Sequence, residues 1–160
     1  MNSLVENKIL KFISNKFIVK RITLSQAFNM KCEKITLNDK TTLVVKYYQN
    51  KNKGFNSIKS EGNSLIFLTN KLPSLFPNVK HLSSNLLIID FIKHNNLKKN
   101  DYEKVLAKKI LKIHEIQSNK YGFKFDAQIG GLKQPNDIDS NWVNFFRDNR
   151  LNMIFETINK

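Results

Sequence analysis

The chain opens on apolar side chains at helical spacing, with Val5, Ile9, Phe12 and Ile13 on one side of a predicted helix over residues 4–15. The period then shortens. Residues 17–23 and 27–36 are β-prone, Asn38-Asp39 is a turn signal, and 41–48 is a β-branched and aromatic run, so the stretch predicts an antiparallel meander. Residues 49–54 are polar and loop-like. From Asn56 the helical period returns with Ile58, Leu65 and Leu68 on one face, and the helix is expected to end before Pro73. Residues 86–92 are almost wholly apolar, the pattern of a strand covered on both faces, at the centre of a sheet or running beneath the core. After the polar residues 94–100, Asp101 is placed to cap a helix. Tyr102, Val105, Leu106, Ile110, Ile113 and Ile116 form its stripe, with Lys104, Lys108 and Lys112 on another face. Gly122, Gly130, Gly131 and Pro135 mark a loop-rich stretch. Asp139 or Ser140 is the expected cap of a last helix carrying Trp142, Phe145, Phe146, Leu151, Ile154, Phe155 and Ile158, which is apolar on more than one side.

Composition narrows the picture. With 160 residues, 41% hydrophobic and 25% charged, the chain fits one ordered domain or part of a larger one. No apolar run approaches the roughly 18 residues of a membrane span, and Glu6, Lys8, Lys11 and Lys16 interrupt any signal-peptide core. A soluble, cytoplasmic protein without a membrane partner is expected. The single cysteine, Cys32, excludes an internal disulfide, and three scattered histidines give no metal-ligand spacing. The net charge of +14 raises the question of nucleic acid. Its makeup argues against that partner, because arginine occurs only at Arg21, Arg147 and Arg150 and the remaining cations are lysines in an Asn- and Ile-rich chain.

Two charges stand where the pattern asks for apolar residues. Alternation along 42–48 aims Lys46 to the same face as Val44, while Leu43, Val45 and Tyr47 point to the other. In the helix that follows, Glu61 fills the missing step of the stripe Ile58, Leu65, Leu68. An inward carboxylate needs a cation, and Lys46 is the natural candidate. From these two residues alone the alternative stands level: Lys46 snorkels to water and Glu61 fringes an exposed face. A strand lysine paired with a glutamate on the next helix is, however, the device with which kinase folds hold ATP phosphates. The order of parts fits as well: meander, strand with Lys, helix with Glu, two short strands, then a long helix.

The sequence at this point resembles the fructosamine and ketosamine kinases, whose protein-kinase-like fold is close to that of aminoglycoside and choline kinases. The most specific stretch is Tyr121-Gly122-Phe123, Ile129-Gly130-Gly131, Gln134-Pro135-Asn136, Trp142-Val143-Asn144-Phe145-Phe146 and Arg150-Leu151, similar to the family's Phe-Gly-Phe, Ile-Gly, Gln-Pro-Asn, Trp-x-x-Phe-Phe and Arg-Leu series. Leu111 to His114 looks like its Leu-x-x-Leu-His, Val44-Val45-Lys46 like its Phe-Val-Lys strand, and Ser60-Glu61-Gly62 through Leu65 like its Glu-x-x-x-Leu helix. Ile89-Asp90-Phe91-Ile92 is similar to the hinge that reads adenine through backbone groups. The resemblance implies an α+β, protein-kinase-like chain. Residues 1–92 would be an antiparallel-sheet N-terminal lobe with its hinge, and 93–160 the first helices of a helical C-terminal lobe. It also implies ATP and Mg2+ as cofactors, a glycated amine or sugar-like substrate phosphorylated on a hydroxyl, and Lys46, Glu61, Asp90, Phe91 and Ile92 as nucleotide-binding residues.

Departures from the family pattern bear on this. Residues 21–28, where the family has a glycine-containing phosphate-covering turn, contain no glycine. Asp90 stands where Glu is usual, and Ile138 replaces a Trp. Phosphoryl transfer in this fold uses an Asp in a His-Gly-Asp loop and a second, metal-holding Asp. His81, His94 and His114 are followed by Leu-Ser, Asn-Asn and Glu-Ile, so none begins that loop. The chain therefore reads as the N-terminal half of a kinase, truncated before its catalytic loop, with no catalytic residue of its own and no turnover expected alone. The alternatives are another aminoglycoside- or choline-type kinase, or a non-catalytic basic binding module. Other residues read as structural: His114 as packed or helix-terminal, Cys32 as an inert strand residue, Trp142, Phe145 and Phe146 as core anchors, and Asp137 and Asp139 as capping groups more than a metal site.

Overall fold

A computed structural model describes residues 3–27, 29–94, 101–129 and 132–158. Phe28, Gly130, Gly131 and the polar stretch 95–100, all singled out above, lie outside the described residues. Two compact units divide the chain, Met1–Val105 and Leu106–Lys160.

In the first unit α1 (Ser3–Ile13) leads into β1 (Ile18–Ala27), β2 (Met30–Leu37) and β3 (Thr42–Tyr48), followed by α2 (Ser57–Lys71), β4 (Val79–Leu82) and β5 (Leu86–Asp90). The strands make one antiparallel sheet in the order β1-β2-β3-β5-β4. Its β2–β3 turn forms at Asn38-Asp39 as the sequence predicts. Asp39 Oδ1 accepts from the Thr41 amide, and Lys40 takes the left-handed φ of 68° that closes the turn. β1 runs four residues past the predicted 17–23 stretch, and β5 stops at Asp90, two residues short of the apolar run.

Strand alternation sorts the sheet into two apolar faces. Leu43, Val45 and Tyr47 of β3 join Ile35, Leu37, Leu86 and Ile88 under Val5, Ile9 and Ile13 of α1. Cys32, Val44, Tyr48, Leu87 and Ile89 form the opposite face, against Ile58 and Leu65 of α2. A helix thus covers each side. β5, placed between β3 and β4, is the doubly covered strand that its apolar run predicts, with Leu86, Leu87 and Ile88 inaccessible to solvent.

The α1 face also holds a histidine. His81 of β4 lies opposite Ile88, its ring 6.1 Å from that of Phe12, and its Nε2 is buried with no hydrogen-bond partner among the described residues. Burial, and then the Lys8 charge, hold the imidazole below its ordinary value of 6.5.

The second unit takes most of α3 (Tyr102–His114), then β6 (Ala127–Ile129) and β7 (Leu132–Gln134), α4 (Trp142–Phe146), a π-helical turn (Arg147–Asn152) and α5 (Met153–Ile158). Asp101, ahead of α3 with φ 64°, pairs its carboxylate with Lys104 at 2.9 Å. Three corrections to the sequence reading arise here. The stretch expected to be loop-rich contains the short antiparallel pair β6–β7. The cap of the last helix is neither Asp139 nor Ser140 but Asn141, whose Oδ1 accepts from the Val143 and Asn144 amides. Asp139 instead accepts from the Asn141 amide and so orders the turn before the cap. The last helix is also not one α-helix, because the π-helical turn interrupts it. Among the described residues no helix is long and apolar enough to cross a membrane.

Gly122 holds the loop ahead of β6 to the segment before α4. Its φ is 104°, and a Cβ there would stand 2.6 Å from the Asp137 carbonyl oxygen and 2.8 Å from that of Asn136. Those are backbone atoms that cannot rotate away. Gly122→Ala should therefore destabilise the second unit by more than about 1 kcal/mol. Faster hydrogen exchange at the Tyr121 and Asp139 amides, which bond each other's carbonyls across an isolated bridge, with β3 unaffected, is the expected readout. His81 gives a second expectation. The unfolded imidazole gains a proton near its ordinary value while the folded one resists, so the first unit should lose stability as pH falls from about 7 to about 5. His81→Leu should flatten that part of a pH series of urea melts.

Candidate functional site

The α2 face of the sheet carries the charges singled out in the sequence. Lys46 lies between Cys32 on β2 and Leu87 on β5 in the strand register, with Val44 and Tyr48 as its same-face neighbours on β3. Tyr48 fixes the helix above it. Its hydroxyl sits 2.9 Å from Ser57 Oγ and accepts from the Ile58 amide at 3.4 Å, which seats the first turn of α2 on β3. Asn56 caps that helix through the Lys59 amide and donates from Nδ2 to the Ser84 carbonyl at 2.7 Å, tying the helix start to the β4–β5 turn. Further along, buried Gly62 faces Leu82, where a Cβ would meet the leucine side chain, so glycine lets α2 lie close to β4.

This seating puts Glu61 one turn into α2, above Lys46. Lys46 Nζ donates to Glu61 Oε1 at 2.5 Å, with 23% of the lysine side chain and 35% of the glutamate side chain exposed. The alternative, in which both side chains reach separately into solvent, does not hold. Cys32, beside the lysine, is buried, and burial pushes its thiol above the ordinary value against the opposing pull of Lys46.

The other predicted residues lie at the end of β5 and do not touch the pair. Asp90 sits three residues beyond Leu87, the β5 residue opposite Lys46, or about 10 Å along the strand. Its carboxylate pairs with Lys80 at 3.2 Å and accepts from Asn78 Nδ2 at 2.9 Å, and its amide donates to the Asn78 carbonyl, so its polar groups are directed to β4. Phe91 packs its ring against the α2-face core. Ile92 is exposed. The β3–β5 ladder runs to the Leu43–Asp90 pair, and because the Asp90 amide turns to Asn78, the Phe91 amide faces the Thr42 carbonyl of β3, with Ile92 just past the strand end.

Two polar networks escaped the sequence reading. On the α1 face, Glu33 is 4% exposed and accepts from Lys31 at 2.8 Å and from Arg21 at 3.1 Å, while Arg21 also bonds Glu6 of α1 at 2.7 Å. Burial pushes the Glu33 carboxyl up, and the Lys31 bond with the Lys31 and Arg21 charges more than offset it, leaving it below the ordinary range. Burial, together with the Glu33 charge, pushes the Tyr47 hydroxyl up to about 12. The signal was present, since Glu33 shares the phase of Ile35 and Leu37 in β2. In the second unit, buried Asn136 donates from Nδ2 to the Phe125 carbonyl and accepts at Oδ1 from Arg150 at 2.7 Å. Arg150 reaches the Pro135 carbonyl at 2.6 Å, and Asn149 Oδ1 accepts from the Asp137 amide. The Pro135-Asn136 and Arg150 motifs are thus one polar staple, and Trp142, Phe145 and Phe146 pack beside it with ring centroids 5.3–5.9 Å apart.

Burial separates the two ion-pair systems on the sheet. Replacing partly exposed Lys46 by Met, with Glu61 free to turn to water, should cost about 1 kcal/mol of stability. Glu33→Ala, which removes the almost wholly buried carboxylate that Lys31 and Arg21 share while Arg21 keeps Glu6, should cost more, about 1.5–3 kcal/mol. Urea denaturation of both variants gives the comparison directly.

Comparison with known proteins places this geometry. The chain matches the fructosamine kinase family model over residues 4–160. Among solved structures it is similar to a candidate fructosamine-3-kinase from Thermobifida fusca YX-ER1, at a TM-score of 0.78 and 17% identity over 94% of this chain and 51% of that one. It is also similar to one from Haemophilus somnus 129PT, at a TM-score of 0.72 and 24% identity over 92% of this chain and 50% of that one. The chain spans about half the length of these structures. No curated protein shows significant similarity to it. The five-stranded antiparallel sheet with a helix on each face is that of a kinase-like fold, and the chain belongs to the fructosamine kinase family.

Proposed function

We propose that the chain supplies the nucleotide-binding part of an ATP-dependent kinase that phosphorylates a sugar hydroxyl of a ketosamine adduct. Residues 1–92 act as the N-terminal lobe and hinge, and 93–160 begin the helical lobe. The observation that carries this reading is the ion pair between Lys46 and Glu61. A lysine fixed by a helix glutamate on the central strand of an apolar sheet face presents its ammonium to phosphate oxygens in one orientation, so less freedom is lost when the anion arrives. The backbone just past β5, at Phe91 and Ile92, suits the edge of a purine base, and Asp90 fixes the end of β5 that carries it.

The fit to the cofactors differs between them. Lys46, Glu61 and the 91–92 backbone fit ATP. Among the described residues there is no group of three His, Cys, Asp or Glu side chains able to hold a metal ion, so no step through magnesium is derived. The sequence also contains no His-Gly-Asp. The carboxylate that takes the hydroxyl proton and those that hold Mg2+ belong, in this reading, to the region matching the other half of the relatives. Substrate choice belongs there too.

Titration calorimetry with magnesium-ATP tests the reading. Saturable binding is expected, and Lys46→Met should weaken it at least about tenfold, the equivalent of about 1.4 kcal/mol, without unfolding the sheet. The 160-residue chain alone should not phosphorylate a fructosamine substrate. Absence of nucleotide binding, combined with nucleic-acid affinity that falls steeply with salt, would replace this function with that of a basic binding module.

A further inference from the structure

Lys34 of β2 is a cation that neither the sequence motifs nor the proposed chemistry uses. In the register it stands opposite Val44, which in turn stands opposite Ile89, and the three form a row across the α2 face. The next row along the same face is Cys32, Lys46 and Leu87, two residues away, or about 7 Å. The Lys34 row is therefore the strip of sheet between the phosphate-binding lysine and the end of β5. A base held by the Phe91 and Ile92 backbone, with its phosphates toward Lys46, must lie against that strip. In the structure the strip is not open. Lys34 Nζ lies 3.8 Å from the centroid of the Phe91 ring, so the lysine stem spans it and the ammonium sits on the aromatic face.

We propose that the contact between Lys34 and Phe91 is a latch over the base-binding strip, which opens when a nucleotide enters. The inference rests on the nucleotide-binding reading above and adds a residue that sets its affinity. The ammonium on the ring is a favourable contact of the free protein. A base can stack on Val44 only after the lysine stem has swung aside, so part of the stacking energy of the base offsets the lost contact. Removing the latch then strengthens binding of the base. That distinguishes Lys34 from Lys46, whose loss weakens binding.

Charge complicates a test with ATP alone, because removing a cation also weakens attraction to the phosphates. Adenosine, which is uncharged, separates the two effects. Lys34→Ala removes the stem and the ammonium together, and Lys34→Ser checks that the result does not depend on one replacement. Both variants should bind adenosine about two- to fivefold more tightly than the unaltered chain, measured by calorimetry or saturation-transfer NMR with circular dichroism confirming the fold. Adenosine affinity in both variants equal to or below that of the unaltered chain would overturn the latch while leaving the nucleotide-binding reading intact. Absence of binding to adenosine and magnesium-ATP by all three proteins would remove that reading, and the latch with it.

Discussion

β3 is covered on both faces, and most of what the first unit does follows from that constraint. A strand with α1 on one side and α2 on the other has no solvent side on which to place polar groups cheaply, so each of its side chains must be apolar or find a partner. Leu43, Val45 and Tyr47 meet the demand toward α1, and Val44 and Tyr48 meet it toward α2. Lys46 is the exception, and it fixes what must lie above it: a helix that brings a carboxylate within bonding distance. The Tyr48 contacts with Ser57 and Ile58 and the Asn56 cap give α2 the seat from which Glu61 reaches the lysine. Packing at the helix start and charge one turn later thus specify the same placement.

The two faces solve the problem of inward charge differently. Toward α1, Glu33 is almost wholly buried and held by two cations, one of which is tied back to Glu6 on α1. That network is structural, joining helix to sheet where no ligand needs to pass. Toward α2, Lys46 and Glu61 keep part of their surface in water. A partly exposed pair contributes modestly to stability, yet it orients an ammonium that still has donors to spare. Partial burial is what suits the second pair to a bound anion.

Much of this was legible in the sequence wherever one period ran long enough to be read. Alternation over Thr42–Tyr48 placed Lys46 correctly, and the Ile58, Leu65, Leu68 stripe placed Glu61. The Glu33 network was less legible, because a single acidic residue between Lys31 and Ile35 looks like any strand charge until α1 is seen to cover that face. Asn141 was passed over as a cap because Asp139 and Ser140, two equally good capping residues, precede it, and only the turn closed by Asp139 decides among the three. The Pro135-Asn136 and Arg150 motifs carried the family resemblance without showing their physical reason, a staple between residues 14 and 15 positions apart that no local pattern encodes.

The π-helical turn at Arg147–Asn152 explains why the last helix looked apolar on more than one side. A π-helical turn holds one residue beyond the α-helical count, and in an α-helix each residue advances the face by about 100°. At a strict α-helical 100° per residue, Trp142, Phe145 and Phe146 before it and Ile154, Phe155 and Ile158 after it fall on opposite sides, and the extra residue brings the later group back toward the earlier one by about a quarter turn. The inserted residue works as a phase shifter. Deleting one residue in this turn would restore an α-helical turn and leave the terminal stripe near its present heading, whereas a deletion in the flanking α-helical turns would swing it by about 100°. In this segment, then, the turn is the one place where the helix can change in length without re-aiming the surface beyond it.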